Sequence, residues 1–192
     1  MNKSNLIAIS GKLRHGKDTF ANIIVEELNN LNFNKEIYKT AFADQVKETL
    51  LSMCPTLDRK HVFGPSEFRD IILPNCIDKI TGKPLTIRNA LIQIGAMGRE
   101  WNKDFWAMAV LNKLQNNKLM IITDCRYLNE KESIEMCGGK VIRIIRQLDN
   151  NCALNHLSET DLDNANFDDY VINDTIDNLH KQAIKMINKY IL

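Results

Sequence analysis

The chain reads as an α/β protein, a three-layer α/β/α sandwich with a central parallel sheet. Three observations predict this. Short apolar runs of strand length, such as Leu6–Ile9, Leu119–Thr123 and Val141–Ile145, alternate with longer stretches of helical period. Runs without polar alternation suit strands covered on both faces, and alternating β and α elements give a parallel sheet. The chemically distinctive residues also cluster just after those runs, where open parallel sheets bind ligands.

Each element has its own signal. Phe20, Ile23, Ile24 and Leu28 form an apolar stripe that predicts a helix over 17–30. Glu36–Phe42 is the next strand, ending at Ala43-Asp44, and a helix follows from Gln45 to Met53. All four prolines (Pro55, Pro65, Pro74, Pro84) fall in the irregular stretch 54–85, read as an insertion shaping a substrate pocket. Thr86 caps a helix through Ile94, and another spans Asp104–Gln115. Leu119–Thr123 is a buried strand that stops at Asp124. Helix 129–137, the turn Gly138-Gly139 and strand Val141–Ile145 come next. A polar loop over 147–168 then leads to strand Asp169–Ile172 and a last helix, Ile176–Tyr190.

Between the first strand and the first helix lies Gly11, four residues, then Gly16, Lys17, Asp18 and Thr19. This is the G-x-x-x-x-G-K pattern of a phosphate-binding loop in its strand-to-helix setting. Glycines let successive N–H groups turn inward around an anion. The helix starting at Lys17 adds its positive end, and the Lys17 ammonium adds a point charge. The expected ligand is a nucleoside triphosphate. Asp18 stands where Ser or Thr usually ligates magnesium; its carboxylate holds the ion directly or through water, and Thr19 donates to a phosphate oxygen. The bland alternative is a glycine-rich turn with a surface lysine.

Composition fits a small enzyme and excludes several classes. The 192 residues carry 25 Lys and Arg against 24 Asp and Glu, a net charge of +1 with both signs mixed. No basic stripe points to nucleic acid, and no polybasic tail or run of about 20 apolar residues points to a membrane. The N-terminus enters a strand almost at once, unlike a signal peptide. Cys54, Cys76, Cys125, Cys137 and Cys152 are odd in number without a C-x-x-C pair, and read as reduced thiols of a cytoplasmic protein.

The strand ends collect Gly11–Thr19, Asp44, Asp124, Arg126, Arg146 and Asn173. Asp124, after an apolar strand, matches the acidic residue that holds magnesium in phosphate-loop enzymes; capping the next helix is its other reading. Arg126 projects above the sheet edge or pairs on the surface. Asp44 contacts a sugar or base, or caps the helix starting at Gln45. Asn173 reaches the adenine or simply ends the strand.

Together these residues resemble the deoxynucleoside monophosphate kinases of large tailed phages, within the phosphate-loop kinase superfamily. Gly11-Lys12-x-x-x-Gly16-Lys17-Asp18-Thr19, with His15 in its span, resembles that family's loop, where an aspartate also follows the lysine. Phe42-Ala43-Asp44 with Lys47, Thr86-Ile87-Arg88, Gly95, Gly98-Arg99 and Asp104-Phe105-Trp106 resemble its acceptor side. Asp124-Cys125-Arg126-Tyr127-x-Asn129-Glu130 resembles its D-x-R-x-x-N-E stretch, and His156-Leu157-Ser158-Glu159 its lid. Ile92 and Ala96 depart from the family's Gln and Thr, both on the acceptor side.

The resemblance implies one P-loop kinase domain over 1–192, with an acceptor-binding insertion at about 45–105 and a lid at about 147–168. It implies ATP and magnesium (Mg2+) as cofactors, small-molecule nucleotides as partners and a homodimer. Gly11, Lys12, His15, Gly16, Lys17, Asp18, Thr19 and Asn173 would bind ATP, with Asp18 and Asp124 on the metal. Asp44, Lys47, Arg88, Arg99, Trp106 and Arg126 would serve the acceptor, although Trp106 and Trp101 also read as core. Lys17, Asp124, Arg126 and Arg146 would act in transfer, with Arg143 second to Arg146.

Three rivals remain. A kinase of another small molecule, such as a coenzyme precursor, keeps the same loop. A GTPase fits poorly, since Asn102-Lys103-Asp104 lacks the N-K-x-D spacing. A non-catalytic nucleotide binder needs fewer cations than this chain carries.

Overall fold

The computed structural model describes residues 3–146 and 160–192. In chain order the elements begin with β1 (Leu6–Ser10), α1 (Lys17–Asn30), β2 (Glu36–Thr40), α2 (Phe42–Met53) and α3 (Arg59–Phe63). A 3-10 turn (Ser66–Asp70), β3 (Ile72–Ile77), β4 (Pro84–Thr86), α4 (Ile87–Trp101) and α5 (Phe105–Leu111) follow. Then come β5 (Lys118–Cys125), α6 (Leu128–Met136), β6 (Lys140–Ile145), β7 (Asp169–Ile172) and α7 (Ile176–Tyr190). They form two compact units: Phe42–Ala109, and Met1–Ala41 with Val110–Leu192. The first-mentioned unit interrupts the other in sequence, over the stretch in which the sequence reads an insertion at about 45–105.

The discontinuous unit is built on a five-stranded sheet of order β2-β5-β1-β6-β7. Every pairing is parallel, so all carboxyl ends lie along one edge. Strand parity sorts the side chains. Ile7, Ile9, Leu119, Ile121, Ile142, Ile144 and Val171 bury one face against Phe20, Ile24 and Leu28 of α1 and Leu179, Ala183 and Ile187 of α7. On the other face α6 lies against β1: a Cβ on Gly139 would meet Ile134 Cγ2 at 2.6 Å and Leu6 Cδ2 at 2.8 Å. Helices on both sides of a parallel sheet make this the three-layer α/β/α class that the apolar runs predict.

Strand β5 runs two residues past Thr123, through Asp124 to Cys125, and its register with β1 shifts between Ala8↔Ile122 and Ser10↔Cys125. The shift leaves one extra residue on β5 at the carboxyl edge of the sheet, and irregularities of this kind re-aim side chains.

The inserted unit has its own core of Leu50, Val62, Leu73, Ile87, Ala90, Ile94 and Trp106. Here the boundaries correct the sequence reading. Helix α2 begins at Phe42, so Asp44 is a first-turn residue and not a cap before Gln45. Helix α4, capped by Thr86 through its bond to Asn89 N, continues past Ile94 to Trp101. Gly95 and Gly98 do not stop it, because they seat a partner: Trp106 Nε1 donates to Gly95 O (2.9 Å), and a Cβ on Gly98 would meet the indole at 2.6 Å. Helix α5 ends at Leu111, four residues short of Gln115. The proline-rich stretch 54–85 is more ordered than read, holding α3, the 3-10 turn and an antiparallel β3–β4 pair. Pro74 and Pro84 are tolerated there because each strand of such a pair has a free edge.

Candidate functional site

The loop from Gly11 to Gly16 joins β1 to α1, and its geometry follows from its glycines. Gly16 has φ +91°, a left-handed conformation open to glycine, and caps α1 with no side chain of its own over the first-turn N–H groups. Gly11 lies so close to β6 that a Cβ would sit 2.9 Å from Ile144 O. Lys17 is 7% exposed, and its Nζ donates to Gly11 O (2.8 Å) and Lys12 O (2.9 Å). A buried ammonium therefore sits within the curl of the loop. Asp18 and Thr19 are exposed in the first turn of α1, where a carboxylate favours the helix dipole.

Neighbouring strand ends hold the loop from two sides. His15 Nδ1 lies 3.1 Å from Ile144 O at the end of β6. A carbonyl only accepts, so Nδ1 carries the proton and Nε2 is the acceptor of the neutral ring. Burial lowers the His15 pKa, and the positive charges of Arg143, Lys17 and Lys12 add to that, against the Ile144 bond. Asn173, just after β7, donates from Nδ2 to His15 O at 2.8 Å. The expected adenine-side residue is thus tied to the loop backbone. A Cβ on Gly16 would meet that same Nδ2 at 2.3 Å, so glycine is required there twice over.

Beside the loop, β5 ends in half-buried Asp124 and buried Cys125, and half-buried Arg126 follows it. The turn carrying Arg126 is shaped by Glu130, 7% exposed, whose Oε2 accepts from Arg126 N (2.8 Å) and Tyr127 N (3.1 Å). The last residue of D-x-R-x-x-N-E is therefore a turn-former, in the manner of a capping box. Burial pushes the Cys125 thiol well up, helped by the Glu130 and Asp124 charges, so it is no nucleophile.

Arg143, read from sequence as second to Arg146, is the arginine placed at the loop base. Its Nη1 donates to Ser10 Oγ (3.0 Å) and its Nη2 to Asp163 Oδ1 (3.2 Å). Lys12 Nζ meets Asp163 Oδ2 at 2.9 Å. Arg146 follows β6 as an exposed residue. Sequence reading missed Ser10, Asp161 and Asp163, since single polar residues in a strand end or a polar loop have no periodic signal. His156 and Glu159 lie outside the described residues, as does Cys152.

Five acceptor-side candidates belong to the inserted unit. Asp44 and Lys47 pair at 2.9 Å on α2, and Lys47 Nζ lies 4.7 Å from the Phe63 ring centroid. Arg88 is exposed and bonded to Asp70 Oδ1 (2.8 Å) and Ser66 O (3.2 Å). The Arg99 guanidinium folds back over Gly95. Trp106, 6% exposed, is core, as one of its two sequence readings held.

Magnesium takes one or two carboxylates and completes its shell with phosphate and water. Asp18, at the start of the loop's helix, and Asp124, at the end of the adjacent strand, are carboxylates of the chemical kind that such an ion takes. Among the described residues no group of three or more His, Cys, Asp or Glu is placed to cage a metal unaided. Nor, among them, is any helix long and apolar enough to cross a membrane.

No protein-family model matches this chain, and no curated protein matches it either. The likeness to the phage monophosphate kinases rests on the motifs quoted above.

Proposed function

We propose that the chain is an ATP- and magnesium-dependent kinase converting deoxynucleoside monophosphates to diphosphates. One observation carries the reading. Lys17 is buried with its ammonium inside a glycine loop between β1 and α1, beside a strand end that bears Asp124 and Arg126. The motif resemblance supplies the acceptor class.

A monophosphate oxygen is already ionised near neutral pH, so transfer needs no general base. What it needs is alignment and neutralised charge. Loop N–H groups and Lys17 bind the outer phosphates of ATP. Asp18 and Asp124 would hold magnesium, which would supply positive charge against the phosphates. Arg126 takes the acceptor phosphate as a bidentate fork, and the resemblance adds Arg88 and Arg99. Arg146 closes over the phosphates, and the resemblance adds a homodimer.

The test is coupled ADP release with ATP and magnesium against each deoxy- and ribonucleoside monophosphate. Lys17→Ala should lower deoxynucleotide turnover by about a hundredfold or more with its fold intact. Silence across the panel with ATP still bound would reject the acceptor assignment and favour another small acceptor.

A further inference from the structure

Residues 161–168 are fastened to the sheet unit at several points. Leu162 is buried, Asp161 Oδ2 accepts from Leu128 N at 2.7 Å, and Asp168 pairs with Lys140 at 2.9 Å. Phe167 lies with its ring centroid 5.3 Å from the Arg143 guanidinium carbon and 6.0 Å from Lys131 Nζ. These contacts hold the segment in place, and none of them engages a cation of the Gly11–Gly16 loop. Asp163 is different. Its two carboxylate oxygens face one cation each: Oδ2 is 2.9 Å from Lys12 Nζ, inside the phosphate loop, and Oδ1 is 3.2 Å from Arg143 Nη2.

Two cations splayed onto two oxygens is an arrangement that receives phosphate as readily as carboxylate. Arg143 is further held in line by Ser10 Oγ, at 3.0 Å from Nη1. The Lys12–Asp163 pair is solvent-accessible, with side chains 42% and 36% exposed, and pairs of that kind are weakly held. A carboxylate so placed spends the charge of a loop lysine on the protein itself.

Given the reading that the loop binds a nucleoside triphosphate, we infer that Asp163 is a built-in competitor for polyphosphate. Its carboxylate occupies an anion position between Lys12 and Arg143, and a phosphate group of the bound nucleotide takes that position by displacing it. The opposing idea is a brace, in which Asp163 holds Lys12 ready for the ligand. The two differ in sign.

Isothermal titration of tripolyphosphate, and separately of ATP, into the wild type and Asp163→Asn decides between them. The isosteric amide should tighten both ligands about three- to tenfold. Glu36→Gln removes the same charge at the amino end of β2 and should leave both affinities unchanged. In a Lys12→Gln background, the gain from Asp163→Asn should shrink. Unchanged or weaker binding by Asp163→Asn overturns the inference, as does an equal gain from Glu36→Gln. No turnover is read, so tightened tripolyphosphate binding with no binding of ATP in any form would uphold the anion position and sink the nucleoside triphosphate reading. Failure of every form to bind either polyphosphate would sink both.

Discussion

Asn173 and His15 are 158 residues apart in sequence, yet the Asn173 amide donates to the His15 carbonyl at 2.8 Å. The bond ties the end of β7 to the crown of the β1–α1 loop, where Gly16 leaves room for it. A bond between elements so far apart in sequence restricts the conformations open to the loop.

Asn173→Ala should therefore cost about 1 kcal/mol of stability and weaken ATP about three- to tenfold. Denaturant midpoints and ATP titration check the two effects. Lost stability with unchanged ATP affinity would mean that the bond serves the fold alone.

Glu130 supports a second prediction. Its carboxylate receives two backbone N–H groups in a nearly dry setting, so Glu130→Gln exchanges charge-assisted bonds for neutral ones at a cost of about 1–2 kcal/mol. If the turn exists to aim Arg126, turnover should fall and the acceptor KM should rise as well. In an Arg126→Ala background the same change should have little further kinetic effect. Additive losses in the double variant would separate Glu130 from Arg126.

The sheet and the loop are legible in the sequence because their signals are local. Ile7, Ile9, Leu119, Ile121 and Val171 declare buried strands by unbroken apolarity, and Gly11, Gly16 and Lys17 stand at a fixed spacing. The rest depends on contacts between distant residues. The helix read as running through Ile94 continues past Gly95 and Gly98, against which the distant Trp106 indole packs. Arg143 and Arg146 both follow from one strand, and only the parallel register that sets Ser10 opposite Arg143 ranks Arg143 as the one at the loop base. Asp163 carries no periodic signal at all; its meaning comes from lying against Lys12.

The last prediction concerns pH. Burial and the charges of Arg143, Lys17 and Lys12 hold the His15 pKa below its ordinary 6.5 in the folded chain. Above that value the ring is neutral whether the chain is folded or not, and its contribution to stability is complete. As pH falls below 6.5 the unfolded chain takes up the proton first, so stability is lost until the folded ring is protonated too. His15→Gln keeps an N–H for Ile144 O but cannot titrate. Urea midpoints measured from about pH 7.5 to about pH 5.5 should therefore decline less steeply in the variant than in the wild type. Parallel declines would assign the acid sensitivity of the fold to other groups and leave His15 as a fastening for the loop only.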